Sequence, residues 1–315
     1  MLRINVAVGV VRNDLGEVLI SKRKAEAHQG GLWEFPGGKF EEGEGAAQAL
    51  ARELHEELNI SPKSSSPLIN INFNYPECHV CLHVREVSEF EGTAIGREGQ
   101  LFKWVGVSEL SAYAFPEANK AILSALSLGR YYAIIAGENL QQIMCHLKYV
   151  QAQGVTLVQI RLKNLSVEAL AKIIKEIRAK CEVLGLKYLF NSQMAISRTA
   201  EDGLHLTSFD LMSLSQRPDT QALVAASCHN LDELHQAESL GLDFAVLSPI
   251  MKTSSHPEAK VLGWEKMQSY IQDINMPVFA LGGMTKQSCE KATNLGAQGV
   301  AGISLFLPSQ LSDMK

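Results

Sequence analysis

The chain has 315 residues, 46% hydrophobic and 20% charged, with 34 acidic against 29 basic side chains and a net charge of −5. This is an ordinary globular composition, with ample apolar material for a buried core and a length that suits one to three domains. A surface of this sign disfavours a nucleic-acid polymer as partner; a small polyanion stays open if a metal ion supplies the positive charge.

The first apolar run, INVAVGVV at 4–11, is cut short by Arg12 and reads as a strand rather than a signal peptide. With EVLISKR at 17–23 it flanks the polar turn RNDLG. GEGAAQALARELHEEL then predicts a helix. INFNYPECHVCLHVREV and LFKWVGV predict strands, and EANKAILSALSL a closing helix, an α+β pattern. Six cysteines, Cys78, Cys81, Cys145, Cys181, Cys228 and Cys289, are scattered without a disulfide framework, which suits a reducing compartment. Cys78 and Cys81 form a C-x-x-C, but three apart on a strand they point to opposite faces and read as two semi-buried thiols.

The character changes at SLGRYYAIIA, 127–136, from where strand-like and helical runs alternate. The strand-like runs are 131–136, 156–162, 187–191, 203–207, 222–227, 243–249, 277–283 and 299–304. Eight such units predict a parallel (β/α)8 TIM barrel, with an open doubly wound sheet as the alternative. Roughly 185 residues is short against the usual ~250, so the helices near 193–215 must be abbreviated. The boundary belongs near 126–130, dividing 1–128 from 129–315. No run approaches the ~20 apolar residues of a membrane span, and the expected location is the cytoplasm.

Two stretches carry chemistry. In GGKFEEGEGAAQALARELHEELNI, Glu53, Glu56 and Glu57 are three or four apart and share one helix face. A charge run of this kind is usually a solvated face. Here it follows PGGK, a Gly-rich turn whose backbone can approach a ligand, and it sits on a helix whose other faces are apolar. Arg52 stands beside Glu53 and can orient the carboxylates. Clustered carboxylates on rigid backbone suit a hard cation such as Mg2+. In the second half, VQIRLK places Gln159, Arg161 and Lys163 on one strand face, at the end where barrels bind ligands. ALGGMT and GVAGIS put Gly282, Gly283, Gly302 and Ser304 after the last two strands, where backbone N–H groups often cradle phosphate; turn glycines are the plain alternative.

The first stretch resembles the Nudix box, G-x5-E-x7-R-E-U-x-E-E-x-G-U, through Gly38, Glu44, Arg52, Glu53, Leu54, Glu56, Glu57 and Ile60. Asn59 stands where the box has glycine, a position that ends the helix in a left-handed conformation; asparagine is the best substitute there. VAVGVVRN, KRKAEAH, EFPGGK, GREGQ and FPEAN extend the resemblance over roughly 4–125, to the MutT-type 8-oxo-dGTP diphosphatases. The resemblance implies an α+β Nudix fold with Mg2+, or Mn2+, held by Glu53, Glu56, Glu57, Glu98 and the Gly37 carbonyl. Glu53 is the first choice for the base and Glu98 the second. It further implies nucleotide contacts from Arg23, Phe35, Gly38 and Lys39, and base recognition by Asn119. Cys78 replaces an expected arginine near the base, and Tyr75 a phenylalanine. The implied reaction is attack at the β-phosphorus, giving a nucleoside monophosphate and pyrophosphate. Another nucleoside diphosphate derivative is the rival substrate.

The second half, roughly 130–306, resembles thiamine phosphate synthase and its TenI-like relatives through VQIRLK, LFN, DGLHL, ASCHNLDEL, SPIMKTSSHPEAKVLGWE and ALGGMT. The resemblance implies a thiamine or thiazole phosphate ligand held by Gln159, Arg161, Lys163, Asn191, Thr253, Ser255 and the glycine loops. His229 matches a catalytic histidine of the tautomerases, though a lone histidine can equally be structural. Two positions depart. Asn191-Ser192 replaces the Asn-Asp of the synthases and removes a metal ligand, leaving Asp210 as the second. The synthase loop lysine is also absent, where Thr253, Ser254 and Ser255 lead to His256. Synthase, tautomerase and a non-catalytic phosphate-binding module all remain open. The sequence says nothing of oligomeric state.

Overall fold

The computed structural model describes residues 2–23, 30–74, 78–97, 99–253, 258 and 260–307. The chain forms two compact units, Met1–Ser127 and Leu128–Lys315.

The first unit contains β1 (Leu2–Val11), β2 (Val18–Lys22), β3 (Trp33–Glu34), β4 (Gly37–Lys39) and helix α1 (Ala46–Leu58). There follow β5 (Ser61–Pro62), β6 (Ser66–Asn74), β7 (Cys78–Val87), β8 (Phe90–Glu91), β9 (Phe102–Val105) and helix α2 (Lys120–Ser127). A four-stranded mixed sheet runs β4-β1-β7-β6, with β1 parallel to β7, and a smaller antiparallel sheet runs β3-β2-β9. The expected strand over 71–87 is a hairpin whose first arm reaches back to Ser66, past a register shift between Pro67 and Ile69. That irregularity accommodates a proline that cannot donate to the ladder.

PGGK, expected as a turn, is mostly strand. Gly37 and Gly38 lie opposite Val8 and Ala7 on β1. A Cβ at Gly37 would stand 2.0 Å from the Ala7 carbonyl oxygen, so only glycine lets the chain pass that close. Helix α1 starts at Ala46 rather than Gly43, with Gly45 as its N-cap and the Gln48 Oε1 accepting from the Gly45 N–H at 2.9 Å. Ala49, Leu50, Leu54 and Leu58 are buried against Ala7, Val11, Leu19 and Val87. This apolar stripe fixes the roll of the helix, and with it the direction of the opposite, acidic face.

The second unit is a closed barrel. Its parallel strands are β10 (Tyr131–Ile135), β11 (Leu157–Ile160), β12 (Lys187–Asn191), β13 (Gly203–Leu206), β14 (Val224–Cys228), β15 (Phe244–Leu247), β16 (Val278–Leu281) and β17 (Gly299–Gly302). β10 pairs with β11 on one side and β17 on the other, which rules out the open doubly wound sheet. The outer helices are α3 (Leu140–Ala152), α4 (Val167–Val183), α5 (Ser208–Ser213), α6 (Leu231–Ser239), α7 (Gly263–Gln272) and α8 (Ser288–Asn294). No helix lies between β12 and β13 among the described residues, and α5 has only 6 residues. The shortening falls where the length required it. No helix among the described residues is long and apolar enough to cross a membrane.

Tyr132, Leu157, Leu189, Ala225, Phe244, Val246, Phe279 and Ala301 fill the barrel interior. Two residues further along their strands, Gln159, Asn191 and Ser227 face the same way, by the period of two, and His205 of β13 meets Tyr132 and Ser227 there. His205 is 1% exposed and hydrogen-bonded through both ring nitrogens, Nδ1 with the Tyr132 hydroxyl at 3.0 Å and Nε2 with Ser227 Oγ at 2.9 Å. Burial pushes the Tyr132 pKa up, so its hydroxyl stays protonated beside the ring. Burial, with Arg161 nearby, drives the His205 pKa down to about 3. The unfolded chain protonates this histidine near pH 6.5 and the folded barrel only near 3, so the unfolded state binds the extra proton between them. Stability of the barrel should therefore fall as pH drops through that window. His205→Gln should flatten the slope while lowering stability at neutral pH, a combination readable in urea unfolding across a pH series.

Candidate functional site

Arg52 organises the acidic face of α1. Its Nε and Nη2 hold the two oxygens of Glu44 at 2.9 and 3.0 Å. Its Nη1 reaches Glu53 at 2.9 Å and Glu56 at 3.2 Å, and Nη2 also donates to the Lys39 carbonyl at 3.0 Å. One guanidinium thus ties the helix face to β4. The Glu44 partnership leads in pushing the Arg52 pKa up, and the same bonds, with the Glu41 N–H, hold the Glu44 carboxyl below the usual range. Glu44 therefore serves as an orienting anion for Arg52.

Glu53 seats its carboxylate against Gly38, where a Cβ would fall 2.1 Å from Glu53 Oε1. That glycine is a cradle, because a side chain there would push the Glu53 carboxylate aside. Glu56 is more exposed, with 56% of its side chain accessible against 16% for Glu53. Glu57 is half-buried, and its carbonyl accepts from the Arg97 N–H at 2.9 Å and from Gln100 Nε2 at 3.0 Å. The GREGQ loop is thereby docked on the end of α1, although Glu98 itself lies outside the described residues. Among the described residues no three His, Cys, Asp or Glu side chains converge as a ready metal group. The donor set is nonetheless all oxygen, carried on a rigid helix over a glycine cradle, which fits a hard cation.

The expected nucleotide contacts are placed as follows. Arg23 pairs with Glu34 on β3, whose carboxyl is raised by burial despite the Arg23 charge. Glu34 gave no sign of that role in the sequence. Phe35 is 3% exposed and stacks on Phe115 at 5.5 Å, so its ring belongs to the core cluster of the unit. The Lys39 side chain is exposed. Asn119 lies in a short 3-10 turn, Glu117–Asn119, and is 8% exposed. Its backbone N–H donates to the Pro116 carbonyl at 2.9 Å. Cys78 opens β7 opposite Leu2, partly exposed; Tyr75 lies outside the described residues.

In the barrel, Gln159 and Asn191 are buried and Arg161 is half-buried, its pKa lowered by that burial. Lys163 is exposed beyond the end of β11. His229 is exposed; its Nδ1–H donates to the Ser248 carbonyl at 2.7 Å, which leaves Nε2 outside that bond. Thr253 is half-buried, and Ser254, Ser255 and His256 lie outside the described residues. Gly282 and Gly283 have φ of 102° and 67°, and Cβ atoms there would press on Pro249 at 3.0 Å and on Met251 at 2.7 Å. Their first task is this close passage of two loops. A shallow depression of about 430 Å3 is lined by Met284, Thr285, Lys286, Gln287, Ser304 and Leu305.

Asp210 is where sequence reasoning saw least. Its Oδ2 accepts from the Ser192 hydroxyl, from Gln193 Nε2 at 2.7 Å and from Thr207 Oγ1 at 2.8 Å. Burial works to raise its pKa, but these bonds together leave it lowered. The Arg198 guanidinium donates to the carbonyls of Asn191 and Ser192 at 3.1 and 3.2 Å. With a serine in place of one carboxylate and neutral donors on the other, these residues do not fit the paired-carboxylate cation site that the resemblance implies.

Comparison with known proteins gives two separate matches. A family model described as NUDIX domain matches residues 7–125, and one described as Thiamine monophosphate synthase matches 131–306. The 8-oxo-dGTP diphosphatase of Escherichia coli is 39% identical over 126 residues, covering 40% of this chain and 98% of that protein. The CTP pyrophosphohydrolase of Escherichia coli is 34% identical over 125 residues, covering 40% of this chain and 92% of that protein. A provisionally named thiamine-phosphate synthase 2 of Aquifex aeolicus is 38% identical over 188 residues, covering 58% of this chain and 100% of that protein.

Proposed function

Because the chain belongs to the Nudix family over residues 7–125 and to the thiamine monophosphate synthase family over 131–306, we propose that it hydrolyses 8-oxo-dGTP to 8-oxo-dGMP and pyrophosphate with Mg2+, and that its barrel binds a thiamine or thiazole phosphate without a divalent ion. The observation that carries the first part is the acidic face of α1, with Glu53 cradled on Gly38 and fixed by Arg52. Glu53, Glu56, Glu57 and the Gly37 carbonyl would hold Mg2+, or Mn2+, which neutralises the triphosphate charge that otherwise repels a nucleophile. Glu53 takes the proton of the attacking water, with Glu98 as the other candidate base. Arg52 fixes the direction of Glu53, and Lys39 is free to meet phosphate. Asn119, almost fully buried in its 3-10 turn, reads the base. Attack at the β-phosphorus leaves the nucleoside monophosphate.

A second reading, another nucleotide in place of 8-oxo-dGTP, draws on Cys78 at a base-pocket position and on the likeness to a CTP pyrophosphohydrolase. A substrate panel with pyrophosphate detection decides between them. For the barrel, the satisfied Asp210 argues against a Mg2+-pyrophosphate ligand, and His229, with Nε2 outside its bond to Ser248, suits proton-transfer chemistry such as a tautomerisation.

Glu53→Gln should lower kcat roughly 100-fold or more with an unchanged fold by circular dichroism; near-normal turnover would remove Glu53 from the centre. Asn119→Ala should reduce the preference for 8-oxo-dGTP over dGTP by roughly tenfold, the effect of one lost hydrogen bond to a buried group. In calorimetry, thiamine phosphate or thiazole phosphate should bind equally well with excess Mg2+ and with EDTA. A roughly tenfold tightening by Mg2+ would contradict the metal-free reading, and absence of heat from both ligands would leave the barrel a structural module.

A further inference from the structure

Asn59 stands where the Nudix box has glycine, and it does more than end the helix. Among the described residues it is the one non-glycine in the left-handed region, with φ 59° and ψ 30°. Its own N–H and that of Ile60 turn back onto the carbonyls of His55 and Leu54, both at 3.1 Å. A glycine would achieve that much. The asparagine side chain adds two bonds that glycine lacks. Its Oδ1 accepts from Arg97 Nη2, and its Nδ2 donates to the Thr93 carbonyl at 3.4 Å.

Arg97 is held from several sides. Its Nη1 donates to the His55 carbonyl at 3.0 Å, and its backbone N–H donates to the Glu57 carbonyl at 2.9 Å. Ile95 N–H joins the Leu58 carbonyl at 3.0 Å, and Gln100 Nε2 joins the Glu57 carbonyl at 3.0 Å. Gly92 passes so near that a Cβ there would meet the Asn59 carbonyl oxygen at 2.2 Å. A cation facing the last carbonyls of a helix also answers its dipole. The Asn59 side chain therefore bridges both ends of the 93–97 segment to the last turn of α1, the turn that carries Glu56 and Glu57.

We infer that Asn59 is a positioning residue: through Arg97 it locks the 93–97 segment onto the acidic end of α1 and so fixes the geometry of the hydrolytic centre. The inference rests on reading that acidic face as the hydrolytic centre. Because the clasp faces solvent, its worth is registry rather than stability.

The test separates the cap from the clasp. Asn59→Gly keeps the left-handed cap, because glycine adopts φ near 59° without penalty, and removes only the side-chain bonds. Its melting temperature should stay within about 2 °C of the parent. Amide exchange at Arg97 should accelerate roughly tenfold, because the bond to the Glu57 carbonyl opens more often. On the best substrate of a nucleotide panel, kcat should fall roughly tenfold with KM little changed. Asn59→Asp, which keeps an acceptor for Arg97, should restore both. Arg97→Met should match Asn59→Gly, with the double variant no worse than either. Unchanged exchange at Arg97 in Asn59→Gly would overturn the clasp. Faster exchange with unchanged kcat, or an additive double variant, would overturn the positioning role. The exchange measurement needs no substrate, so it stands even if the proposed nucleotide is wrong.

Discussion

The first unit depends on a single guanidinium. Arg52 lies among four carboxylates on and beside α1, and contacts β4 through the Lys39 carbonyl. Without a cation in that position, Glu44, Glu53 and Glu56 would repel one another across a few ångströms, and the helix would gain nothing by gathering them. With it, the repulsion becomes orientation: each carboxylate has a defined direction, and Glu53 has a glycine to rest on. The apolar stripe of Ala49, Leu50, Leu54 and Leu58 supplies the other half of the constraint, because a helix that cannot roll cannot lose its acidic face. Preorganisation of this kind lets a charged substrate be bound without rearranging the protein around it.

The barrel solves a different polar problem. His205 sits deep inside it, neutral and satisfied by Tyr132 and Ser227, so a polar layer rests directly on an aromatic one built from Tyr132, Phe244 and Phe279. Gln159 and Asn191 belong to the same inward-facing set. Polar residues at this depth cost stability unless every donor and acceptor is met. Around Asp210 the same principle takes another form: where the related synthases are implied to hold a cation between carboxylates, this chain offers a hydroxyl, an amide and a second hydroxyl to one oxygen.

Much of this was legible in the sequence. The acidic helix face followed from spacing alone, and the left-handed end at Asn59 followed from the one departure in an otherwise intact motif. The eight parallel strands followed from alternation, and their shortened helices from simple length. What the sequence hid were partnerships between distant residues. Nothing local in GREGQ says that Arg97 will meet Asn59, or that Glu34 will be the partner of Arg23. PGGK looked like a turn because two glycines in succession usually mark one, whereas here they let β4 lie against β1. The sequence showed that Ser192 removes a carboxylate. It did not show that Gln193, Thr207 and Ser192 together would saturate one oxygen of the carboxylate that remains.

The order of strand pairing has a consequence for how the chain is made. β10 completes the barrel only by pairing with β17, with Tyr131 beside Val300, so the barrel cannot close until nearly all of it has been synthesised. The first unit makes no such demand, since β1 finds its partners in β4 and β7. On a ribosome the hydrolase can reach its folded form while the barrel is still an open set of strands with unpaired edges. Closing a ring across that much sequence is slow because the contacts that reward it come last. The vulnerable interval in the life of this protein is therefore the wait for β17, during which β10 has one partner and an edge free for the wrong one.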